Sequence, residues 1–238
     1  MQSAGDARVV IGPRVIVLGR QGAGKGTQCA RLATHLGVPH ISTGDLFRAA
    51  IAAETPLGRQ AQDYVDRGAL VPDGLVLDLV AAHLGGPEAR RVGYLLDGFP
   101  RTLAQGQALF EVLGASAADL ALEIDVPTAS VLPRLATRRV CTGCGAVTAS
   151  SEPEVTCPSC GGTATRREDD TDEAITRRLA LYDQQATPLL LWLAEQGLLV
   201  TIDGLGSPED VFNRLNAAVE PRLARLRVPA APKSDRAG

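Results

Sequence analysis

At 238 residues and 45% hydrophobic content, the chain is long enough for one large domain, or for a core carrying insertions. A net charge of −3 argues against nonspecific nucleic-acid binding, and no apolar run reaches the length of a membrane span. The first residues carry no apolar signal region, so a cytoplasmic protein is expected, and its five cysteines are not presumed to be disulfides.

Residues 1–13 are expected to form a flexible N-terminus. Val15 to Leu18 then reads as a buried parallel strand. It runs into Gly19-Arg20-Gln21-Gly22-Ala23-Gly24-Lys25-Gly26-Thr27, and a helix follows at once, with Cys29, Leu32, Ala33 and Leu36 on one apolar face. Strand, glycine-rich loop, lysine and helix in this order are the arrangement that binds nucleotide phosphates; a glycine-rich turn with no ligand is the alternative. Glycines let the loop amides converge on an anion, and the helix adds unpaired N–H groups and the positive end of its dipole. Lys25 reaches the outer phosphates, and the Thr27 hydroxyl lies near phosphate and metal.

Val38 to Ile41 is a short strand candidate. Ser42-Thr43-Gly44-Asp45 opens an amphipathic helix with Leu46, Ala49, Ala50 and Ala53 on one face, and Thr43 or Asp45 read alone is a cap. Further helices are expected from Leu57 to Asp66, ended by Gly68, and from Pro72-Asp73 to Leu84. Tyr94 to Asp97 is a second buried strand. Its terminal carboxylate faces the phosphate crevice, because ligands of parallel sheets sit at the carboxyl ends of strands. Asp97 there is either a Mg²⁺ contact, direct or through water, or a loop-capping carboxylate. Gly98-Phe99-Pro100-Arg101-Thr102 leads into a helix carrying Gln105.

Leu120 to Asp125 is a third strand, and Thr128 to Arg139 reads as a helix, with Pro133 a kink or a late start. Arg134 and Arg138, four apart, share a face, which is either solvated or a phosphate clamp. Cys141-x-x-Cys144 and Cys157-x-x-Cys160, twelve residues apart, carry the pattern of a closed tetrahedral zinc site; redox disulfides are the alternative. Cys29 stands alone and reads as core. A long helix runs from Asp172 to Gln196, bent or split by Pro188, then a strand from Leu198 to Asp203, a last helix from Ser207, and a disordered tail.

Taken together these motifs resemble adenylate kinase over about residues 14–220, in its bacterial long-lid, zinc-bearing form. The resemblance rests on Gly19 to Thr27, Ile41 to Arg48, Leu96 to Thr102 with Gln105, Arg134 with Arg138 and Arg139, and Arg167 to Asp170 with Arg178. It implies an α/β P-loop nucleoside monophosphate kinase fold. A five-stranded parallel sheet is flanked by helices, with two mobile inserts: an AMP-binding segment over 42–71 and a zinc-ribbon-like LID over 137–169. Residues 221–238 would be a disordered tail. The implied reaction is reversible phosphoryl transfer from MgATP to AMP, giving two ADP, in a monomer that needs neither nucleic acid nor membrane. By similarity ATP is held by Gly22, Ala23, Gly24, Lys25, Gly26, Thr27, Arg134 and Arg138. AMP is held by Thr43, Arg48, Gly98, Arg101, Gln105, Arg167 and Arg178. The catalytic set is Lys25, Arg101, Arg138, Arg167, Arg178 and the Mg²⁺-holding Asp97. Structural Zn²⁺ sits on Cys141, Cys144, Cys157 and Cys160, and Asp169 and Asp170 form an acidic pair at the lid hinge. The three histidines receive no role.

The chain departs from the family in two places. Gln21 stands where the family usually has proline, and Arg20 adds a charge expected beside the phosphates, which together suggest a looser loop. The span between the cysteine pairs is shorter than in most zinc-lid relatives, which trims the lid hairpin. Neither removes a catalytic group. Two rival readings are a same-fold kinase with a UMP or CMP acceptor or a GTP donor, and a zinc-ribbon binding module with a dead phosphate loop. Thr43 argues against the pyrimidine acceptors. An acidic chain with one tryptophan offers little surface for the second.

Overall fold

The computed structural model describes residues 12–226 apart from 68, 70, 85–90, 115, 116 and 169. Five strands form one parallel sheet: β1 (Arg14–Leu18), β2 (His40–Ser42), β3 (Tyr94–Asp97), β4 (Leu120–Asp125) and β9 (Leu199–Asp203), in the order β2-β3-β1-β4-β9. The chain crosses from β1 to β2 on one side and from β3 to β4 on the other, so the sheet's switch point lies at the carboxyl ends of the neighbouring strands β1 and β3. There Val17 is in register with Asp97, which brings the phosphate loop and the acid of β3 side by side.

Helices cover both faces: α1 (Lys25–Leu36), α2 (Thr43–Ala52), α3 (Pro56–Asp66), α4 (Asp73–Leu84), α5 (Leu103–Leu113), α6 (Thr128–Thr137), α7 (Asp172–Glu195) and α8 (Pro208–Leu226). Alternation along the strands divides the core in two. Val15, Val17, Leu120, Leu122 and Ile124 join α1, α6 and α8 on one face. Ile16, Leu18, Tyr94, Leu96 and Ala121 join α4 and α5 on the other. Helix α7 serves both, with Ile175 and Leu179 in the first and Leu189 and Leu193 in the second. It runs unsplit through Pro188, held by apolar side chains on both sides of the proline.

The second sheet is small and antiparallel: β5 (Arg138–Cys141), β6 (Val147–Ala149), β7 (Glu154–Thr156) and β8 (Thr163–Thr165), in the order β6-β5-β8-β7. Its fully buried apolar set is Cys141, Cys157 and Ala164. A sheet this thin cannot cover the entropy of ordering it by apolar burial alone.

Several boundaries differ from the sequence reading. The α6 helix stops at Thr137, because Arg138 turns extended (φ −65°, ψ 127°) and pairs with Ala149 as the first residue of β5. Arg134 and Arg138 therefore do not share a helix face, and Pro133 lies inside α6 rather than at its start. Ser42, not Thr43 or Asp45, caps α2 by accepting from the Asp45 amide. That helix buries Thr43 and Phe47, while Ala49 of the expected apolar face is exposed. Gly12 and Pro13 are tied down, their backbones bonded to Arg91 and Tyr94. The described part of the tail, 221–226, continues α8 as helix. Gly68 and the rest of both termini lie outside the described residues.

Candidate active site

A cavity of about 620 Å³ lies between the carboxyl edge of the main sheet, α2, α3 and the small sheet. The phosphate loop forms its floor. Gly22 (φ 82°) sits under α6, where a Cβ would come within 2.9 Å of Leu135, and Gly24 (φ 93°) is the left-handed residue that opens α1. Gly22 is held by both space and its positive φ, so the loop passes close to the helix, whereas Gly24 stands in open space and is restricted by its φ alone. Lys25 Nζ donates to the carbonyls of Gly19 (2.6 Å) and Arg20 (2.9 Å), which holds it across the loop mouth. Burial lowers its pKa, opposed by Asp97 and reinforced by Arg101 and Arg138. Thr27, in the first turn of α1, is exposed.

Six arginines line the same cavity: Arg48, Arg101, Arg134, Arg138, Arg167 and Arg178. They come from α2, the β3–α5 loop, α6, β5, the segment after β8, and α7. Four of them, Arg48, Arg138, Arg167 and Arg178, face two carboxylates. Asp170, 1% exposed, accepts from Arg138 (Nε at 3.0 Å, and Nη2) and from Gln21 Nε2 at 2.8 Å, and lies 3.6 Å from Arg178. Arg178 also donates to the Val65 carbonyl at 3.0 Å, joining α7 to the end of α3. Asp45 pairs with Arg48 and stands 3.9 Å from Arg167, so the two inserts meet across it. Burial pushes Asp45 upward, but the charge and hydrogen bond of Arg48 overcome this and hold it below the usual carboxylate value. Arg101 opens onto the cavity yet is crowded by protein, Arg178 and Arg48, and its pKa is lowered accordingly. Six guanidiniums that face one space, four of them sharing Asp45 and Asp170, make an anion site.

At the start of α2 Thr43, 2% exposed, points its Oγ1 at the Gly98 carbonyl (3.4 Å), and Arg101 Nε donates to that carbonyl at 2.7 Å. Gln105 is fully buried; its Oε1 accepts from the Arg101 amide at 2.7 Å and its Nε2 donates to Asp73 at 2.6 Å. Arg134 reaches the Gly204 carbonyl at 3.4 Å.

Two expectations are corrected here. Arg20 carries no charge toward the phosphate loop's mouth: its guanidinium turns outward to Asp125 (3.0 Å) and Asp183 (2.8 Å), over the ring of Tyr182. Gln21 ties the loop to Asp170 rather than loosening it. Arg139, part of the motif that carries the resemblance, is buried against the carbonyls of Ala136, Arg138, Ser151 and Glu152, where it braces the base of the small sheet.

Sequence reasoning missed Asp45 and Asp73, which orient the arginines and Gln105, and it passed over His40. His40 Nε2 lies 3.2 Å from Asp97 Oδ2. The signal was an exposed strand residue one pleat from a buried acid, which periodicity alone does not mark.

The cysteine pairs converge at the tip of the small sheet. Cys141 and Cys160 Sγ are 3.5 Å apart, Cys144 and Cys157 3.7 Å, and all four sulfurs lie within 4.8 Å of one another. A tetrahedron with Zn–S bonds of about 2.3 Å has sulfurs about 3.8 Å apart, whereas a disulfide needs about 2.05 Å. The geometry is that of a zinc site. The Cys144 amide donates to Cys141 Sγ at 3.5 Å and draws that thiol below its ordinary pKa, toward the thiolate that metal requires. Asp97, 8% exposed at the end of β3, presents a hard oxygen donor beside the phosphate loop, the ligand type Mg²⁺ takes. Among the described residues no helix is long and apolar enough to cross a membrane.

The adenylate kinase family matches residues 17–198. The chain is 44% identical over 213 residues to adenylate kinase of Thermodesulfovibrio yellowstonii, covering 87% of this chain and 99% of that one. It is 43% identical over 214 residues to adenylate kinase of Streptomyces avermitilis, covering 87% and 97% respectively. With adenylate kinase of Caldicellulosiruptor saccharolyticus the identity is 44% over 197 residues, covering 80% and 91%. Phosphate loop, arginine-lined cavity, four-cysteine cluster and these matches agree, and the chain belongs to the adenylate kinase family.

Proposed function

We propose that the gathered side chains divide the family's ATP:AMP phosphoryl transfer between a donor half and an acceptor half of one cavity. On the donor side the amides of Gly22 to Thr27, with Lys25, hold the ATP phosphates, and Arg134 and Arg138 approach from the lid base. On the acceptor side Thr43, Arg48, Gly98, Arg101 and Gln105 hold AMP, with Arg167 and Arg178 between the two. Phosphoryl transfer asks for in-line positioning and charge stabilisation rather than a protein nucleophile. The observation that carries this reading is the convergence of Lys25 and six arginines on one cavity. Nucleotide phosphates compete with Asp170 for Arg138 and Arg178, so substrate exchanges one counter-ion for another as the lid settles. Asp97 would hold Mg²⁺, through water, and the bound ion supplies charge neutralisation on the phosphate oxygens. The zinc cluster has no part in the chemistry: all four of its ligands are protein thiols, which leaves no open position.

In this reading 42–71 and 137–169 move against the rest to exclude water from the transferring group. The protein works as a cytoplasmic monomer on free nucleotides, without nucleic acid or membrane. A panel of MgATP or MgGTP with AMP, UMP, CMP or GMP, followed by diphosphate formation, tests the substrate assignment. Turnover with MgATP and AMP far above the other pairs is expected. Silence across the panel in zinc-loaded protein would overturn it.

A further inference from the structure

Beside the phosphate loop, three elements bring a thiol, an imidazole and a carboxylate together. Cys29 of α1, His40 of β2 and Asp97 of β3 place their ligand atoms within 4.8 Å of one another. His40 Nε2 and Asp97 Oδ2 are 3.2 Å apart, and two ligands of a tetrahedral zinc with bonds of about 2.0 Å stand about 3.3 Å apart. Cys29 is fully buried in the first core cluster, while the side chain of His40 is 25% exposed, so the cluster has a closed end and an open one. We propose that these three residues form a second transition-metal site, for zinc or an ion of like softness, and that its occupation inhibits phosphoryl transfer.

The donor set decides the class of ion. Thiolate and imidazole favour zinc-like ions, whereas Mg²⁺ takes hard oxygens and keeps its waters. Binding is written simply. Burial and the Asp97 charge hold the Cys29 thiol protonated, so its proton leaves by way of Asp97 to water at the open end as the metal–sulfur bond forms; His40 Nε2 donates its lone pair with the ring proton on Nδ1, and Asp97 donates an oxygen. Water entering past His40 takes the fourth position. A thiolate and a carboxylate cancel the dication, so the filled site is neutral where the empty one carries the charge of Asp97, and Lys25 loses that counter-charge. This site differs from the lid cluster in having three protein ligands and an open position. Inhibition follows because the ion takes Asp97 away from magnesium. That step rests on Asp97 acting as the magnesium group; the binding itself does not.

The test uses the full chain with its lid zinc loaded. Cobalt(II) is titrated in, and thiolate-to-cobalt charge transfer is followed in the near ultraviolet. One cobalt per chain is expected, with charge transfer lost in both Cys29→Ala and His40→Asn while each variant keeps its lid zinc by elemental analysis. Each variant weakens binding by about a hundredfold or more, since even outer-shell changes cost 10–100-fold. No charge transfer in the parent protein, or charge transfer that survives in both variants and so comes from exchange in the lid, overturns the site. The second arm adds zinc to the assay at fixed MgATP and AMP, and compares each protein with its own zinc-free rate. Inhibition of the parent that magnesium relieves and His40→Asn resists by at least about tenfold supports the inhibitory role. Cobalt binding without zinc inhibition overturns that role and the magnesium assignment of Asp97, and leaves the transfer reaction of the family untouched.

Discussion

The phosphate loop and the lid are both built of glycine-punctuated turns, yet they are held in opposite ways. The loop grows from β1, whose five residues are all buried, and is clasped by α6 against Gly22. Its shape comes from a core that exists without any ligand. Among the described residues the lid's buried apolar cluster is three residues, two of them zinc-site cysteines. Its shape comes from coordinate bonds. One site is preorganised by burial and the other by metal, so the two should fail separately.

Metal removal gives the largest separation. Stripping zinc, or Cys157→Ser, should abolish amide-exchange protection across β5 to β8 while β1, β3 and β4 keep theirs. Zinc binding in peptides this small is worth about 10–16 kcal/mol, more than the lid can replace by packing. Equal protection with and without metal would break the comparison.

Lys25→Ala should do the reverse. The ammonium bonds two carbonyls of its own loop and supports no core residue, so the melting temperature should hold. Steady-state kcat/KM for AMP should fall by about 10²–10³, the effect of removing one charge-stabilising donor. Full activity would remove the lysine from the donor site.

Asp170→Asn lies between the two regions. The buried carboxylate faces Arg138 and Arg178, and neutralising it leaves the two guanidiniums close together. Those side chains are 16% and 18% exposed, so the loss should fall at the low end for a buried pair, about 3 kcal/mol. Bound nucleotide supplies replacement negative charge, so the drop in melting temperature should shrink when MgATP and AMP are added. An equal drop in both conditions would show that Asp170 acts on the fold alone.

What could be read in the chain follows the same division. Glycines at a strand end and cysteine pairs at ligand spacing are local patterns with few physical uses, so Gly24-Lys25 and Cys141-x-x-Cys144 stand out within a short window of sequence. The buried strands were legible too, because both faces of a parallel sheet are covered and the apolar runs are continuous. Arg138 was misplaced because a helical spacing of four does not reveal where the helix stops; the stop is set by pairing with Ala149, which is far in sequence and absent from any window. Arg20 was misread for a like reason. Its partners Asp125 and Asp183 sit 105 and 163 residues away. Side-chain direction at the site is a tertiary fact, and so is the approach of His40 to Asp97.

Gln21→Pro is the smallest change and the finest probe of how far the two regions are coupled. The amide nitrogen of Gln21 donates to Asp170 at 2.8 Å, while its Oε1 is buried with no hydrogen-bond partner among the described residues. A hydrogen bond to a carboxylate contributes about 1.5–3 kcal/mol, and an unpaired buried acceptor costs about 1–3 kcal/mol. These nearly offset each other, and proline adds about 0.4–1 kcal/mol by restricting the unfolded chain. Net stability should therefore move by no more than about 1 kcal/mol, with the sign open to chemical denaturation. The effect should show instead in the lid. Without the Gln21 tie, Asp170 is held from the arginine side only, so the hinge before α7 should exchange its amides faster while the phosphate loop stays protected. If loop and hinge change together, the two regions form one cooperative unit and the separation drawn above is wrong.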